Sequence, residues 1–428
     1  MHALDEPRRP QTIELEVALS GRLDDQRLRH AVAAAAGRHP MARARMLPAQ
    51  PFDAGFSWEI AGTLPRDPVE VRTITSPIEL DRVRNAFYSR HIDVEGGPPF
   101  GLLVVHEDGD GDRVMLSVNH SAFDGVGSLR LLQSISRCYI GEADPLPDLD
   151  ALEARALLDA GDLQRGRRRP APARGRPGPA RGAPAARPPT FLRQRPARLA
   201  SISSKTAEGF GILHLELDSS SAAAHGDATV NDVLLAALHM AIETWNRSKG
   251  APCERVTLMM PVNQRPGAWR GEVVANLVLP ASIESTRADR SRATGLVRAI
   301  AAQTRHIKQH GVDGTPNPVP RRTPVVLRRL LPHLIDVGAD QMADTAVLSN
   351  LGRVEDPPWF GQSGRGLWFG PPPRRPVILT VGAATVDSRL WISLRWCNGS
   401  FSEPAARDFA ETLVGSLGLL ADAFSQDA

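Results

Sequence analysis

The most informative segment of the sequence is the hexapeptide His120-Ser121-Ala122-Phe123-Asp124-Gly125, which has the pattern His-x-x-x-Asp-Gly. The ordinary pKa of an imidazole, about 6.5, suits it to accept a proton at neutral pH, so His120 is a candidate general base. Asp124 is expected to point elsewhere, while Gly125 permits a tight turn or the close approach of another backbone. The segment therefore predicts a proton-transfer site. A surface histidine beside an Asp-Gly turn is the competing interpretation.

Local patterns place this segment between a strand and a helix. Alternating apolar residues predict strands at 101–106 and 113–119, and the Asp108-Gly109-Asp110-Gly111 sequence between them favours a tight hairpin. The second strand runs directly into His120. An apolar stripe at helical spacing over 126–139 then predicts a helix. We therefore expect His120 to project from the turn that joins a strand to a helix.

The remaining strands and helices occur in both halves of the chain, without the regular alternation of a doubly wound parallel fold. The sequence therefore predicts an α/β protein of the α+β kind. Gly37 is expected to end the first helix, and Ser349 to follow the strand at 345–348. The other predicted strands lie at 12–20, 211–217, 255–262, 345–348, 377–385 and 389–396, and the other predicted helices at 24–36, 230–247, 291–309, 323–335 and from Ser402 onward.

Charge is distributed unevenly along the 428 residues. The chain has 51 basic and 48 acidic residues, which gives a net charge of +3. Residues 164–207 include 11 arginines and one lysine but no acidic residue, so the rest of the chain carries a net charge of −9. Because Phe191 is the one aromatic residue among these arginines and the rest of the chain is acidic, the sequence does not favour nucleic-acid binding.

The same basic segment divides the chain. Between Arg165 and Arg198 lie eight prolines and four glycines, a composition that cannot bury enough apolar area to offset the entropy of ordering. We therefore expect residues 161–200 to form a linker or mobile loop between two lobes. The N-terminal lobe, at 1–160, would carry the His-x-x-x-Asp-Gly segment, and the C-terminal lobe would occupy 201–428.

Composition argues against several classes of protein. With 42% hydrophobic and 23% charged residues and no run of about 18 apolar residues, the sequence predicts a soluble globular protein without an integral membrane span. Cys138, Cys253 and Cys397 are too far apart for a local zinc site and do not suggest a disulfide framework. Residues 1–11 lack the apolar region of a secretory signal. We therefore expect a metal-free protein of the reducing cytoplasm.

The segment Asn119-His120-x-x-x-Asp124-Gly125 resembles the His-His-x-x-x-Asp-Gly motif of the superfamily of non-ribosomal peptide condensation domains and chloramphenicol acetyltransferase-like acyltransferases. The resemblance covers most of the chain outside 161–200. Pro261-Val262-Asn263-Gln264-Arg265 is similar to the family's Pro-Val-x-x-Arg region, and residues 229–236 resemble the Asn-Asp segment of bacterial wax ester synthases. Asn119 departs from the family's first His, and the Asp-Phe-Gly-Trp-Gly motif of plant acyltransferases is absent.

The resemblance implies a fold of two chloramphenicol acetyltransferase-like lobes with the active site in a tunnel between them. It implies that His120 is the general base for an alcohol or amine that attacks a thioester, with no Ser or Cys nucleophile. Asp124 would be structural and would orient the loop by bonding to an arginine, for which Arg265 is the candidate. Polar residues after a strand could donate to the thioester oxyanion, or could only cap the strand. The candidate substrate-binding residues are Asn119, Ser349 and Asn350.

The sequence thus predicts an acyltransferase that moves an acyl group from acyl-CoA, or from the phosphopantetheine thioester of an acyl or peptidyl carrier protein, to a small-molecule acceptor. The product would be an ester or an amide, in natural-product or lipid-like biosynthesis, with no bound cofactor. We expect a monomer that binds no nucleic acid. The alternative is a non-catalytic condensation-like module that binds an acyl carrier protein, with Asn119 as a sign of decay. Thioester turnover would distinguish the two, and the intact His120, Asp124 and Arg265 favour the enzyme.

Overall fold

Two mixed sheets, of five and six strands, and a small two-stranded sheet form the protein. Helices pack against both larger sheets, and on the five-stranded sheet they lie on both faces. The computed structural model describes residues 5, 10–53, 56–109, 111–145, 197–201, 209–251, 253–265, 269, 273–312, 324–327, 344–373 and 377–427. Most of the predicted linker at 161–200, and most of the helix predicted at 323–335, lie outside these residues.

The elements follow the predicted hairpin and helices in many places and add several that the sequence patterns did not indicate. In chain order the strands are β1 (Thr12–Leu19), β2 (Ala44–Met46), β3 (Trp58–Ile60), β4 (Val69–Ile74), β5 (Phe100–Glu107), β6 (Gly111–Asn119), β7 (Phe210–Asp218), β8 (Arg255–Asn263), β9 (Val278–Thr286), β10 (Ala346–Arg353), β11 (Gly364–Gly370), β12 (Leu379–Val386) and β13 (Arg389–Cys397). The helices are α1 (Asp25–Arg38), α2 (Pro77–Tyr88), α3 (Gly125–Ile140), α4 (Val230–Ser248), α5 (Ala293–His310) and α6 (Glu403–Asp427).

The first sheet has the strand order β11-β1-β6-β5-β4. Successive side chains of a strand point to opposite faces, and in β1 the odd-numbered residues Ile13, Leu15 and Val17 join the apolar core that also contains residues of α1 and α3. The β5–β6 pair is antiparallel, with Glu107 opposite Gly111, so the predicted hairpin is present. This sheet therefore holds the end of β6, where His120 begins the turn into α3.

The second sheet has the order β7-β13-β12-β10-β8-β9. Helices α4 and α6 contribute apolar side chains to its core, and α4 begins with a capping box formed by Thr229 and Asp232. Strand β10 pairs in parallel with both β8 and β12. Its carboxyl end therefore points the same way as that of β8, which leads to Arg265.

The two sheets are joined by strand β11, which lies in the second half of the chain but pairs with β1 of the first sheet. At the junction, a Cβ at Gly382 of β12 would overlap the carbonyl oxygen of Phe369, so only glycine allows this approach. Arg395 of β13 is fully buried, donates to Thr12 O at 2.6 Å and lies 2.8 Å from Glu14. Both halves of the chain thus contribute to one continuous structure around β1.

Two boundary predictions were wrong. Helix α1 does not end at Gly37 but continues to Arg38, and His39 is extended (φ −112°, ψ 101°) because Pro40 disfavours helical geometry in the residue before it. Strand β10 does not end at Leu348. Pairing with β12 continues through Ser349 and Asn350, so both residues lie inside the strand rather than after it.

Within the described ranges, no helix is both long and apolar enough to cross a membrane.

Buried histidines make the stability of the fold depend on pH. Burial lowers the pKa of His214 and of His239 from 6.5 to about 3, and that of His39 to about 4. Below pH 6.5 the unfolded chain binds protons at these side chains and the fold does not, so the fold loses stability as the pH falls towards 4. Burial raises the pKa of Glu14 from 4.5 to about 8, so between these pH values the fold binds one proton that the unfolded chain releases. This carboxyl therefore offsets part of the effect of the three histidines on the stability of the fold.

We expect His239→Gln to weaken this acid sensitivity. The side chain of His239 is fully buried and its Nδ1 lies 2.8 Å from Ser285 Oγ, a hydrogen bond that a glutamine amide can replace. Removing one titrating group should take roughly 1 kcal/mol per pH unit from the slope of the unfolding free energy between about pH 6.5 and 4.5. Urea unfolding of both proteins at pH 5 and pH 7 measures the slopes, and equal slopes would contradict a neutral, buried His239.

Candidate active site

The backbone of His120 is held on both sides by hydrogen bonds. Its N–H donates to Gln11 O at 2.8 Å, which extends the pairing of β1 with β6 by one residue. Its carbonyl oxygen accepts from Asn276 Nδ2 at 2.6 Å, from the segment that leads into β9. The two partners come from different halves of the chain, so the position of His120 depends on both.

The ring of His120 is oriented by its own turn. Its Nδ1 lies 2.8 Å from Phe123 O, and because a carbonyl oxygen can only accept, Nδ1 must be the protonated nitrogen. In the neutral ring the lone pair then lies on Nε2. This tautomer is the one in which Nε2 can take a proton from a substrate.

Asp124 begins helix α3 and is completely enclosed. Its Oδ1 accepts from Gly127 N at 2.7 Å, as the N-cap of the helix, and its Oδ2 accepts from Leu277 N at 2.6 Å. Arg265 donates to the same carboxylate twice, at 2.7 and 3.0 Å. Both side chains are 0% exposed. The structure thus brings together Asp124 and Arg265, 141 residues apart in the sequence.

The buried guanidinium of Arg265 has further acceptors besides Asp124, among them Asn263 Oδ1 at 3.2 Å. It donates to Val273 O at 2.8 and 3.1 Å and to Ala275 O at 2.8 Å. In turn, Asp124 N donates to Ala275 O at 3.2 Å. A buried ion pair is tolerated when its lone pairs and protons are matched in this way. The pair therefore fixes the 273–277 segment against the turn that carries His120.

Gly125 lies where three segments meet. A Cβ at this position would lie 2.8 Å from the ring of Phe369 and 3.0 Å from Leu351 Cδ2. Gly127, one turn into the helix, is equally confined, because its Cβ would lie 2.7 Å from Ala275 O. The two glycines let β10, β11 and the 273–277 segment pack directly on the start of α3.

Asn119 does not face the space beside the His120 ring. It is 0% exposed, its Nδ2 donates to Asp5 Oδ2 at 2.6 Å and to Ile92 O at 3.2 Å, and its Oδ1 accepts from Ser121 N at 2.9 Å. With its amide enclosed and bonded on both atoms, Asn119 fits a role in holding the turn rather than the substrate contact that the sequence analysis expected.

Ser349 and Asn350 lie in β10 and directly precede Leu351. Ser349 is 7% exposed, and Asn350 Oδ1 accepts from Gly352 N at 2.8 Å. Because Leu351 packs on Gly125, this end of β10 approaches the His120 turn. That Ser349 and Asn350 donate to an oxyanion stays a prediction.

Sequence reasoning missed Gln11, whose contribution is a backbone oxygen and therefore leaves no signal in the residue type. Asn276 follows the Pro261–Arg265 segment by eleven residues, and its bond to the backbone of His120 was not predicted. Within the described part of the chain, no group of three or more His, Cys, Asp or Glu side chains is placed to hold a metal ion.

Comparison with known proteins extends this description. Models of known protein families give no match. Two uncharacterized proteins of Mycobacterium tuberculosis are each 34% identical over 377 residues, which is 84% of this chain and 83% of theirs. The chain belongs to their family.

Its fold is that of condensation domains. The starter condensation domain of rhizomide synthetase, solved in complex with C8-CoA, superposes with a TM-score of 0.66 at 14% identity over 98% of this chain and 90% of its own. The epimerization domain from the third module of tyrocidine synthetase B gives 0.60 at 16% identity, covering 98% and 93%. The EpoB cyclization-docking bidomain from Sorangium cellulosum gives 0.64 at 16% identity, covering 96% and 80%. The predicted two-lobed condensation-domain fold is therefore confirmed.

Proposed function

We propose that this condensation-fold protein is an acyltransferase that uses His120 as its general base. The observation that carries the proposal is the hydrogen bond from His120 Nδ1 to Phe123 O, which leaves the lone pair on Nε2. The turn that supplies this carbonyl is held by the buried Asp124–Arg265 pair. A placed general base accelerates such reactions by about 10²–10⁴-fold.

The proposed step transfers an acyl group from a thioester to an alcohol or amine. The oxygen or nitrogen of the acceptor attacks the carbonyl carbon while Nε2 of His120 takes its proton. The tetrahedral intermediate then collapses, the C–S bond breaks, and the imidazolium returns the proton to the departing sulfur. The products are an ester or amide and a free thiol, so no protein nucleophile is consumed.

The donor class is supported by the comparisons. A starter condensation domain of the same fold was solved with C8-CoA, so this architecture can accommodate an acyl-CoA. We therefore propose acyl-CoA or a carrier-bound phosphopantetheine thioester as donor and a small molecule as acceptor. Ser349 and Asn350, which approach the turn through their neighbour Leu351, remain candidate donors to the oxyanion.

The non-catalytic alternative predicts binding without chemistry. Asn119 is no argument for the loss of activity, because its amide accepts from Ser121 N in the turn and takes no part in the hydrogen bond between His120 Nδ1 and Phe123 O. Incubation with a panel of acyl-CoAs and acyl carrier proteins, with cell extract as acceptor source, tests the two. Acceptor-dependent release of free thiol, and a new ester or amide by mass spectrometry, support the enzyme. Carrier binding without thiol release would support the module.

A further inference from the structure

A buried carboxylate lies behind the His120 turn. Asp5 precedes β1, and its side chain is 1% exposed. Its Oδ1 accepts from Gln11 N at 2.8 Å and its Oδ2 from Asn119 Nδ2 at 2.6 Å. The Nε2 of His91 lies 3.3 Å from the same Oδ2. One carboxylate therefore contacts three separate segments of the chain.

Two of these partners are the residues that position His120. Gln11 O accepts the His120 N–H, and Asn119 immediately precedes His120 and accepts from Ser121 N. Thr12 pairs with Asn119 at the last register position of β1 with β6, and one further hydrogen bond, from His120 N to Gln11 O, follows it. Asp5 joins the two strand ends at this point, through Gln11 N and Asn119 Nδ2.

We propose that Asp5 is a positioning residue: by joining Gln11 to Asn119 it fixes the backbone from which His120 projects. This role rests on the proposed acyltransferase function. We call the contact of Asp5 with Gln11 N and Asn119 Nδ2 the Asp5 clamp. In this chain Asn119 supplies the side-chain donor that the clamp needs, which gives its departure from the family motif a physical purpose.

Both carboxylate oxygens of Asp5 have N–H donors. The hydrogen bond with Asp5 raises the pKa of His91, whose other acidic neighbour is Asp93. A buried carboxylate whose two oxygens accept from N–H donors on separate segments is held in one geometry. Loss of the clamp should therefore release the strand ends without removing any group that touches substrate. Misplacing a catalytic group by about 1 Å can cost on the order of 10² in rate.

The test exchanges the two clamp residues. In Asp5→Asn the new amide faces the Asn119 amide, donor against donor, and in Asn119→Asp two carboxylates face each other. In the double variant the amide at position 5 can accept from Gln11 N and donate to the carboxylate at position 119, which can still accept from Ser121 N. Asn119→Asp and the double variant both lose the donor to Ile92 O, so recovery in the double variant is judged against Asn119→Asp. We expect each single variant to lose about tenfold in kcat with little change in the KM of the donor, and the double variant to recover to within about threefold of wild type.

Asp112→Asn is the matched control, because Asp112 is also a buried carboxylate at an end of β6, where it accepts from Leu23 N at 2.6 Å and contacts His106 at 2.8 Å. It should lower the melting temperature without lowering kcat. Should Asp5→Asn fail to fold, Asn119→Ala takes its place, because it breaks the same contact by removing the donor Nδ2. Unchanged kcat in the single variants, or a double variant no better than the poorer single variant, would overturn the proposal.

Amide hydrogen exchange separates this proposal from the proposed function. Exchange at residues 119–123 should rise in Asp5→Asn and not in Asp112→Asn. If wild type turned over no thioester while this exchange pattern held, the acyltransferase assignment would fail and the clamp would stand as a structural contact alone. If turnover were present but exchange and kcat were unchanged by Asp5→Asn, the positioning role would fail and the assignment would stand.

Discussion

His120→Ala should turn over a thioester donor at least about 10²-fold more slowly than wild type while keeping its melting temperature. The substitution removes the proposed base but no charge, and the Asp124–Arg265 pair that holds the turn does not involve the imidazole ring. The measurement is the acceptor-dependent release of thiol under saturating donor, alongside a thermal melt.

His30→Ala is the control for this experiment, because His30 is an exposed histidine on α1, in the same half of the chain. Its turnover should match that of wild type. A His120→Ala protein that kept a near wild-type rate with a verified donor would show that another group takes the proton, and the general-base assignment would have to be abandoned.

Asp124→Ala and Arg265→Ala should each lower both the melting temperature and the rate, and the double variant should cost less than the sum of the two. Each single change leaves one fully buried charge without its partner, which typically costs about 3–5 kcal/mol, whereas the double change leaves neither. Because the pair also fixes the 273–277 segment, we expect kcat to fall with stability. Urea unfolding of the four proteins gives the coupling free energy.

An exposed ion pair provides the comparison. Arg407 lies 2.6 Å from Glu403 on α6, with side chains 57% and 59% exposed. The coupling free energy of this surface pair should be about 0.5 kcal/mol or less. Additive effects at Asp124 and Arg265, or a coupling no larger than at the surface pair, would mean that the two residues are not energetic partners despite their contact.

Local patterns predicted the part of the site that depends on neighbouring residues. The Asp-Gly repeat at 108–111 indicated the hairpin, and the periodicity of the sequence indicated the strand before His120 and the helix after it. These features are set by backbone geometry and side-chain spacing over a few residues, which a single sequence contains.

Most of what local patterns could not specify depends on partners far along the chain. Serine and asparagine are typical of the turn that follows a strand, but pairing with β12 keeps Ser349 and Asn350 inside β10. The contact of Asp124 with Arg265 could be named only through resemblance, because nothing in the spacing of 141 residues specifies it. The tautomer of His120 is set by a backbone carbonyl and the burial of Asn119 by Asp5, and neither leaves a trace in local periodicity.

The late position of β11 in the sequence affects the order in which the first sheet forms during synthesis. Arg365 bonds to Leu19 O across 346 positions, beside the pairing of β11 with β1. At about 5–20 residues per second, the ribosome needs roughly 20–70 s to reach β11 after it has finished β1. Throughout that interval β1 has an open edge, and an unpaired edge strand can pair with other chains. The first sheet is therefore completed long after β1 is made, and a nascent chain that stalls before residue 364 would keep an aggregation-prone edge.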